Sequence, residues 1–588
     1  MSHQKVKPIC FYLPQFHSIP ENDKWWGEGF TEWRLVDDAK PLFTGHCQPV
    51  KPETLDNDLG YYNACDYETR RAQANLAKQY GIYGFCYYHY WFKGKRLLEK
   101  PLEKMLEDGE PDLPFCLCWA NEPWSRRWSG EEHEVLQPQH YGTELDWENH
   151  FNALIPYFSH ENYIKVEGCP VFLIYRIGHI PNAEKMVVHW RKMAVDKGLV
   201  GIHIVAVEGT FKDNQIYPDY VDAMVEHQPS CSLNDCRPLI MEGLKVYSIE
   251  QIWRRSLARI KRHKVHYPGA CHAWDNTPRR GRASTVVLPS RPARFRRYLT
   301  ALFEQVKLRE QPPFVFLNAW NEWSEGAHLE PEQHYKDSWL ACVRDAQHEA
   351  LNDAPAPVRL GRVDHPMQYE SRLSSTPDID LINVIIQHQV KVQCALDFGC
   401  EKGQSSEYMR AYTGADQYIG LEPNRDWLGA AGKILDEVYL VDADNPELVF
   451  TENHGADFIV CGALLNHVAD PLGVLQALGA WMVPSGLVCL GFEHAGYYKR
   501  LNKMQTLMAS EDKADNVGFS VEQAQELVRS AGLKPVKTYQ VFSANMPKIN
   551  MDKTTSFNLE VDAHQFENLS YLQLESLFCM RFFIFAQR

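Results

Sequence analysis

The sequence predicts an α/β chain of two units, a (β/α)8 barrel followed by a Rossmann-like doubly wound unit. Three observations predict it. Eight short runs rich in Ile, Val, Phe, Tyr and Cys recur between residues 1 and 350, helix-like stretches separate most of them, and a second series of apolar runs tipped with Asp, Glu and Gly begins near residue 380.

The eight runs are Lys7 to Tyr12, Gly84 to Trp91, Pro114 to Asn121, Pro170 to Arg176, His203 to Gly209, Asp222 to Gln228, Pro268 to Asn276 and Pro313 to Asn318. Helical patterns lie between them at Tyr67 to Tyr80, Leu97 to Glu107, Asp146 to Phe158, Ala183 to Lys197 and Arg291 to Lys307. Continuous apolar strands alternating with amphipathic helices predict a parallel sheet covered by helices, and eight such units predict that it closes.

In a barrel of this kind the active site is built from the loops at the carboxyl ends of the strands. Those ends are unusually polar and aromatic here. The first gives Tyr12, Gln15 and His17, the second Tyr88, His89 and Trp91, the third Asn121, Glu122 and Trp124, with Glu208, then Glu226 and His227, then Trp274, Asp275 and Asn276 further on. The eighth run leads into Asn318-Ala319-Trp320-Asn321-Glu322-Trp323-Ser324-Glu325-Gly326, two carboxylates three positions apart among tryptophans. Glycosidic-bond chemistry asks for this set: one carboxyl supplies a proton to the leaving oxygen, a second carboxylate acts on the other side, and indole faces cover sugar rings. Each aromatic taken singly could fill a core, and the glutamates could merely favour a helix start. Recurrence at successive strand ends favours a carbohydrate cleft.

Phe11 to His17, Trp25-Trp26-Gly27, Phe30-Thr31-Glu32-Trp33, Gly84 to Trp91, Trp119 to Trp124, Trp274 to Gly281 and Asn321-Glu322-Trp323 together resemble the WbsX-type glycosyltransferases, which are similar in turn to the endo-α-mannosidases of glycoside hydrolase family 99. In the hydrolases an Asn-Glu-Trp-x-Glu motif carries a base that deprotonates the sugar 2-hydroxyl and an acid that protonates the leaving oxygen, with retention of configuration. The resemblance places those roles on Glu322 and Glu325. Ser324 departs from the histidine usual in the hydrolases. Whether water or a sugar hydroxyl enters second, hydrolysis or transfer, is not decided by the motif.

The segment after the seventh run is basic, with Arg279, Arg280 and Arg282 and then Arg291, Arg294, Arg296 and Arg297, in a chain of formal charge −15. Guanidinium forks suit phosphate oxygens, and barrels often hold phosphate in this region. A glycosyl-diphosphate donor would use Arg279 and Arg280. The later arginines read equally well as a solvated helix face.

Past Pro355-Ala356-Pro357 the composition turns polar, which predicts domains at 1–350 and 380–588 with a linker at 351–379. The second series runs Val392 to Leu396, Tyr418 to Glu422, Val438 to Asp442 and Asp457 to Gly462. Asp397, Gly399, Cys400 and Gly403, with Glu422, Asp442, Asn466 to Pro471, Phe519-Ser520 and the closing run Leu577 to Phe585, resemble the class I S-adenosylmethionine-dependent methyltransferases. The resemblance implies S-adenosylmethionine as cofactor, Asp397, Gly399 and Gly403 at its amino-acid end, Glu422 on the ribose, Asp442 on the adenine amine and Asn466 nearby. Glu401 stands where many members have glycine. His467 and His494 follow strands and are candidates for the methyl-acceptor base or for structural roles.

The formal charge of −15 argues against a nucleic-acid partner, and no metal is expected, since Cys231 and Cys236 lack a second Cys or His pair. Cys10, Cys86, Cys116, Cys118, Cys169 and Cys271 lie inside apolar strands, as reduced thiols do. No signal-peptide core or membrane-spanning run is present, so a cytoplasmic enzyme is expected, with Arg254 to Lys264 available to a membrane surface. The expected function is a bifunctional enzyme of surface-polysaccharide assembly, lipopolysaccharide O-antigen being the type: glycosyl transfer by the barrel, methylation of a glycan by the second domain. An endo-acting hydrolase and a non-catalytic glycan-binding protein are the alternatives, and retention of both glutamates favours the enzymes.

Overall fold

Eight parallel strands pair in chain order and return on themselves in the computed structural model, which describes residues 5–54, 59–125, 135–209, 218–259, 265–351, 377–441, 443, 455–466, 468, 470–493, 519–542, 557–561, 564–569 and 579–588. They are β1 Lys7–Tyr12, β2 Gly84–Phe92, β3 Phe115–Trp119, β4 Cys169–Ile174, β5 His203–Glu208, β6 Ala223–Glu226, β7 in two pieces, His266–Tyr267 and Gly269–Ala270, and β8 Phe314–Leu317. The first piece of β7 pairs with β6 through Met224↔His266, the second with β8 through Gly269↔Phe316, and β8 closes on β1 through Lys7↔Phe314. Pro268 splits β7 because it has no N–H for the ladder. Phe11 lies 5.6 Å from Phe316 and 5.1 Å from His227, just past β6. Strands β1 and β6 are not neighbours, so these rings meet across the barrel interior.

The seventh run differs from its expected span. Only Gly269–Ala270 of Pro268 to Asn276 joins the barrel; Trp274–Asp275 turns out to pair antiparallel with Thr285–Leu288 in a separate four-stranded sheet. That excursion carries the chain from β7 to the mouth of the barrel.

The helices follow the apolar periodicity. Between β1 and β2 come α1 Pro20–Trp26, α2 Glu32–Asp38 and α3 Tyr67–Gln79. Then come α4 Lys100–Asp108, α5 Glu144–Phe158, α6 Ala183–Asp196, α7 Ser230–Leu233, α8 Ile249–Arg259, α9 Thr277–Arg280, α10 Pro292–Lys307 and α11 Ser338–Leu351. Thr143 and Asp146 form a capping box at the start of α5, the reciprocal arrangement that satisfies two orphan donors.

By contact the chain divides into two compact units, Met1–Ala356 and Pro357–Arg588. The second holds β9 Cys394–Phe398, β10 Gln417–Glu422, β11 Glu437–Leu440, β12 Ala456–Cys461, β13 Met482–Glu493, β14 Lys534–Phe542 and β15 Cys579–Gln587, in the order β11-β10-β9-β12-β13-β15-β14. Six run in the same direction, and β15 alone is inserted antiparallel, between β13 and β14. Helices α12 Ile379–His388, α13 Gln404–Thr413, α14 Arg425–Ala431, α15 Pro471–Trp481 and α16 Val521–Ser530 belong to it. The order reverses between β9 and β12, where a doubly wound sheet opens a crevice at its carboxyl edge.

All the cysteines are free thiols. Among the described residues no helix is long and apolar enough to cross a membrane.

Candidate active site

Three loops meet at the mouth of the barrel. After β8 the chain makes a small hairpin in which Asn321–Glu322 pairs with Ala327–His328 around the turn Trp323–Glu325. Gly326 closes the turn at φ +60°, and a Cβ there would lie 3.1 Å from both the backbone nitrogen and the Cβ of Asp275, so a side chain would be both strained and crowded. Asn321 fixes the hairpin to β1: its Oδ1 accepts from the Leu13 N–H at 2.7 Å and its Nδ2 donates to the Leu13 carbonyl at 3.0 Å. Glu330 receives Trp323 Nε1 at 2.7 Å, Tyr62 Oη at 3.0 Å and Gln73 Nε2 at 2.7 Å. Burial pushes its carboxyl up to about 7, with those three donors pulling the other way. This web holds the tip rigid from below.

At the tip, α9 presents Arg279. Its Nη2 donates to Glu322 Oε2 at 2.9 Å, its Nη1 to Glu325 Oε1 at 2.6 Å, and Glu32 of α2 approaches the same Nη2 at 3.1 Å. Ser324 Oγ also donates to Glu32. Glu32, Glu322 and Arg279 are buried, Glu325 only partly. Three carboxylates thus share one guanidinium in a desolvated setting, two more negative charges than the cation offsets if all ionise. Burial drives the Glu322 carboxyl up to about 8; Arg279 opposes the rise, and Glu325 and Glu32 add to it. Glu325 is raised for the same leading reason. A pair in this condition holds a proton at neutral pH.

Tyrosines complete the lining. Tyr88 is raised first by burial and then by the nearby Glu322 charge, and Tyr90 likewise; Tyr175 feels Glu122 and Glu325. Tyr88 Oη lies 3.0 Å from His227 Nε2, and Tyr90 meets the edge of Trp124 at 5.2 Å. Gln15 and His17 sit buried in the loop after β1, with Gln15 Oε1 and His17 Nε2 making no hydrogen bond.

Other sequence-selected residues have different partners. Tyr12 donates to Gln73 of α3 at 2.9 Å, His89 meets His150 of α5 at 3.0 Å, and Trp91 stacks on that same His150 at 4.6 Å, so all three face the helical layer. Side chains along a strand alternate faces, and β2 sends Tyr88 and Tyr90 inward and His89 and Trp91 outward. Glu226 binds the Gly269 N–H and Gln228 and lies 3.6 Å from Arg259 of α8, away from the cluster. Asn121 straps the ends of β3 and β4, accepting from Arg176 N–H at 2.7 Å, while Glu122 pairs with the Arg176 side chain. Asn276 Oδ1 accepts from Thr285 N–H, and Trp274 lies in the side sheet. Trp323 is buried against His328 at 3.8 Å and packs beneath the site. Of the later arginines, Arg294 pairs with Glu250 and Arg296 with Glu349. Arg280 lies close enough to Glu325 to lower its pKa, makes no ion pair among the described residues and leaves its buried Nε without a partner.

Glu32, Tyr90 and Tyr175 were not selected from the sequence. The signal for Glu32 was the aromatic segment Phe30 to Trp33, an acid set among rings.

In the second unit, Asp397 accepts from Ser406 Oγ at 2.6 Å, and burial pushes it up to about 7. Glu422 accepts the Glu401 N–H at 2.6 Å and the Asn424 N–H at 2.8 Å, and burial raises it to about 7. Gly399 and Gly403 have φ of +84° and +78°, and a Cβ on Gly399 would meet Leu464 at 3.1 Å. Glu401 adopts φ +52°, a region that favours glycine, and its carboxyl rises to about 7 from burial, then from Glu422 and Asp397. Asn466 accepts the Glu493 N–H at 3.2 Å and so secures the end of β13. Asp442, His467 and His494 lie outside the described residues.

Barrel and hairpin together define a glycosyl-processing domain, and the chain belongs to the WbsX glycosyltransferase family: the family model described as glycosyltransferase WbsX matches residues 8–343. A model described as a methyltransferase domain matches residues 368–538. Both are enzyme families. A curated relative, the uncharacterized protein WxcX of Xanthomonas campestris pv. campestris (strain B100), is 40% identical over 357 residues, 59% of this chain and 50% of the relative. The chain therefore spans about half the length of the curated relatives it matches. Among solved structures, the GH99 endo-alpha-mannosidase from Bacteroides thetaiotaomicron is similar at TM-score 0.38 and 14% identity over 59% of this chain and 97% of that one. A SAM-dependent methyltransferase from Archaeoglobus fulgidus is similar at TM-score 0.26 and 15% identity over 35% and 91%. At these scores the fold is read from the strand order itself.

Proposed function

We propose that the barrel carries out retaining glycosyl transfer in the assembly of a surface polysaccharide, and that the second unit methylates a hydroxyl of such a glycan with S-adenosylmethionine. One observation carries the first part: Glu322 and Glu325 are bridged by a single buried guanidinium, and burial pushes both carboxyls up, Glu322 to about 8. A proton donor and a proton acceptor then stand side by side at neutral pH, as acetal cleavage needs. On the family's pattern Glu322 takes the proton of the sugar 2-hydroxyl and Glu325 gives one to the leaving oxygen.

A second reading exchanges the roles. It is favoured by the Glu322 carboxyl being held at about 8, the condition of a proton donor. Leaving-group dependence separates the two, because a donor with a good leaving group no longer needs the acid. If Glu325 is the acid, Glu325→Gln keeps turnover on an activated aryl glycoside and Glu322→Gln does not; the reverse pattern assigns the acid to Glu322.

Transfer rather than hydrolysis rests on a phosphate contact. Arg279 is taken up by three carboxylates, so that contact falls to Arg280, beside Glu325 and with no ion pair among the described residues. An endo-acting hydrolase of the same site would not need it.

The β9 loop suits the methyl donor: backbone at positive φ at three alternate positions lets a ligand approach closely, and acids stand at the tips of β9 and β10. Bound there, S-adenosylmethionine would supply an electrophilic methyl group. The chain's part is to hold it, with Glu422, oriented by two backbone N–H groups, accepting from the ribose hydroxyls, and Asp397 beside the amino-acid end.

A further inference from the structure

At the mouth of the barrel Arg279 meets a third acid besides Glu322 and Glu325, one to which the resemblance assigns no role. Glu32 lies on α2, a helix inserted between β1 and β2, and meets Arg279 beside the hairpin turn. Its side chain is buried, with Oε2 accepting from Ser324 and from Arg279 Nε at 3.4 Å, and with Oε1 making no hydrogen bond. Burying a carboxylate is costly, and a fold that needed only to tether Arg279 already has Glu322 and Glu325 to do so.

We propose that Glu32 is a positioning residue that sets the charge of the site, competing with Glu322 for the same Arg279 Nη2 so that this cation cannot neutralise both Glu322 and Glu325. With Glu32 in place the one cation is divided among three acids, and the surplus is met by a proton retained on the pair. Without it, Arg279 would turn wholly to Glu322 and Glu325, and both could ionise. Ser324 fits this role: its hydroxyl donates to the same Glu32 oxygen that faces Arg279 and so holds that carboxyl in place. The groups facing Glu322 and Glu325 are Arg279 and Arg280 of α9, Glu32 of α2, Tyr88 and Tyr90 of β2, and Tyr175 after β4. Glu32 and the paired carboxylate each favour protonation of Glu322, and Arg279 opposes it.

The inference deepens the acid–base reading above, and its test reads ionisation rather than turnover. The Glu322 carboxyl is followed in the full chain by 13C NMR of carboxyl-labelled glutamate across pH 4 to 10, with Glu322→Gln identifying its signal. In Glu32→Gln the Glu322 midpoint should fall by at least one pH unit, and in Glu32→Asp, whose shorter side chain draws back from Arg279, by less but in the same direction. An unchanged midpoint in either variant that keeps its circular dichroism and melting cooperativity overturns the proposal. A displaced midpoint in a chain that turns over no glycoside still supports the role of Glu32, and contradicts only the assignment of the pair to catalysis.

Discussion

Arg279, which the sequence offers as a phosphate clamp, is also held by Glu32, a residue 247 positions earlier, with Nη2 and Oε2 3.1 Å apart. The contact joins the loop after β7 to the insertion after β1 and gives the hairpin glutamates one shared counter-ion.

Removing that counter-ion leaves three carboxylates, two of them buried and one partly so, without their shared cation. Arg279→Ala should lower the stability of the barrel by about 3 to 5 kcal/mol at neutral pH, the cost of breaking a buried pair from one side. Part of the loss should be recovered at pH 5, where the acids take up protons. Urea unfolding at the two pH values checks this, and an equal loss at both would count against the charge argument.

The site also makes stability depend on pH in a stated direction. Glu322 titrates near 8 in the fold against 4.5 unperturbed, so between those values the native state binds more protons than the unfolded chain. Its contribution is fully present below about 4.5 and is lost as pH rises through 8. Glu330, raised to about 7, acts in the same sense. The melting temperature of Glu322→Gln should therefore fall less from pH 5 to 8.5 than that of the wild type, as calorimetry over that range would show.

Arg280→Ala should weaken binding of a glycosyl diphosphate about tenfold or more while leaving the affinity for the corresponding free sugar unchanged, since one charge-assisted contact is lost. Isothermal titration with both ligands reads the difference. Equal affinity of the wild type for the two would favour the hydrolase.

In the second unit, Glu422→Ala should cost roughly 1 to 3 kcal/mol of S-adenosylmethionine binding by removing a charged acceptor. Glu401→Gly should bind equally or more tightly, for it places glycine at φ +52° and removes a carboxylate near the cofactor's own. Titration of the full-length chain and both variants tests this. No binding by the wild type or by Glu401→Gly would mean that this unit serves only as a platform.

Much of the barrel was legible because its strands are continuous apolar runs, a pattern that needs no tertiary information. The seventh run was not, because the residues from Trp274 onward pair in a side sheet that only the folded chain brings together. Glu322 and Glu325 were legible as a pair since they stand three positions apart just past a strand end. The aromatic stretch of β2 was over-read: its period of two already divides it into an inward pair, Tyr88 and Tyr90, and an outward pair, His89 and Trp91. Glu32 could not be placed, as its role comes from meeting a guanidinium across the barrel mouth. The Gly position occupied by Glu401 was visible as a departure, and the structure gives its physical content as positive φ.

The most direct test of the central claim is the anomeric configuration of the product, followed by proton NMR as the chain turns over a glycosyl donor found by screening glycosyl diphosphates and aryl glycosides. The account predicts retained configuration in the wild type. On a glycoside whose leaving oxygen must be protonated, both Glu322→Gln and Glu325→Gln should lose on the order of a hundredfold or more in rate with the fold intact. Inverted configuration, or full activity in both variants, would contradict it.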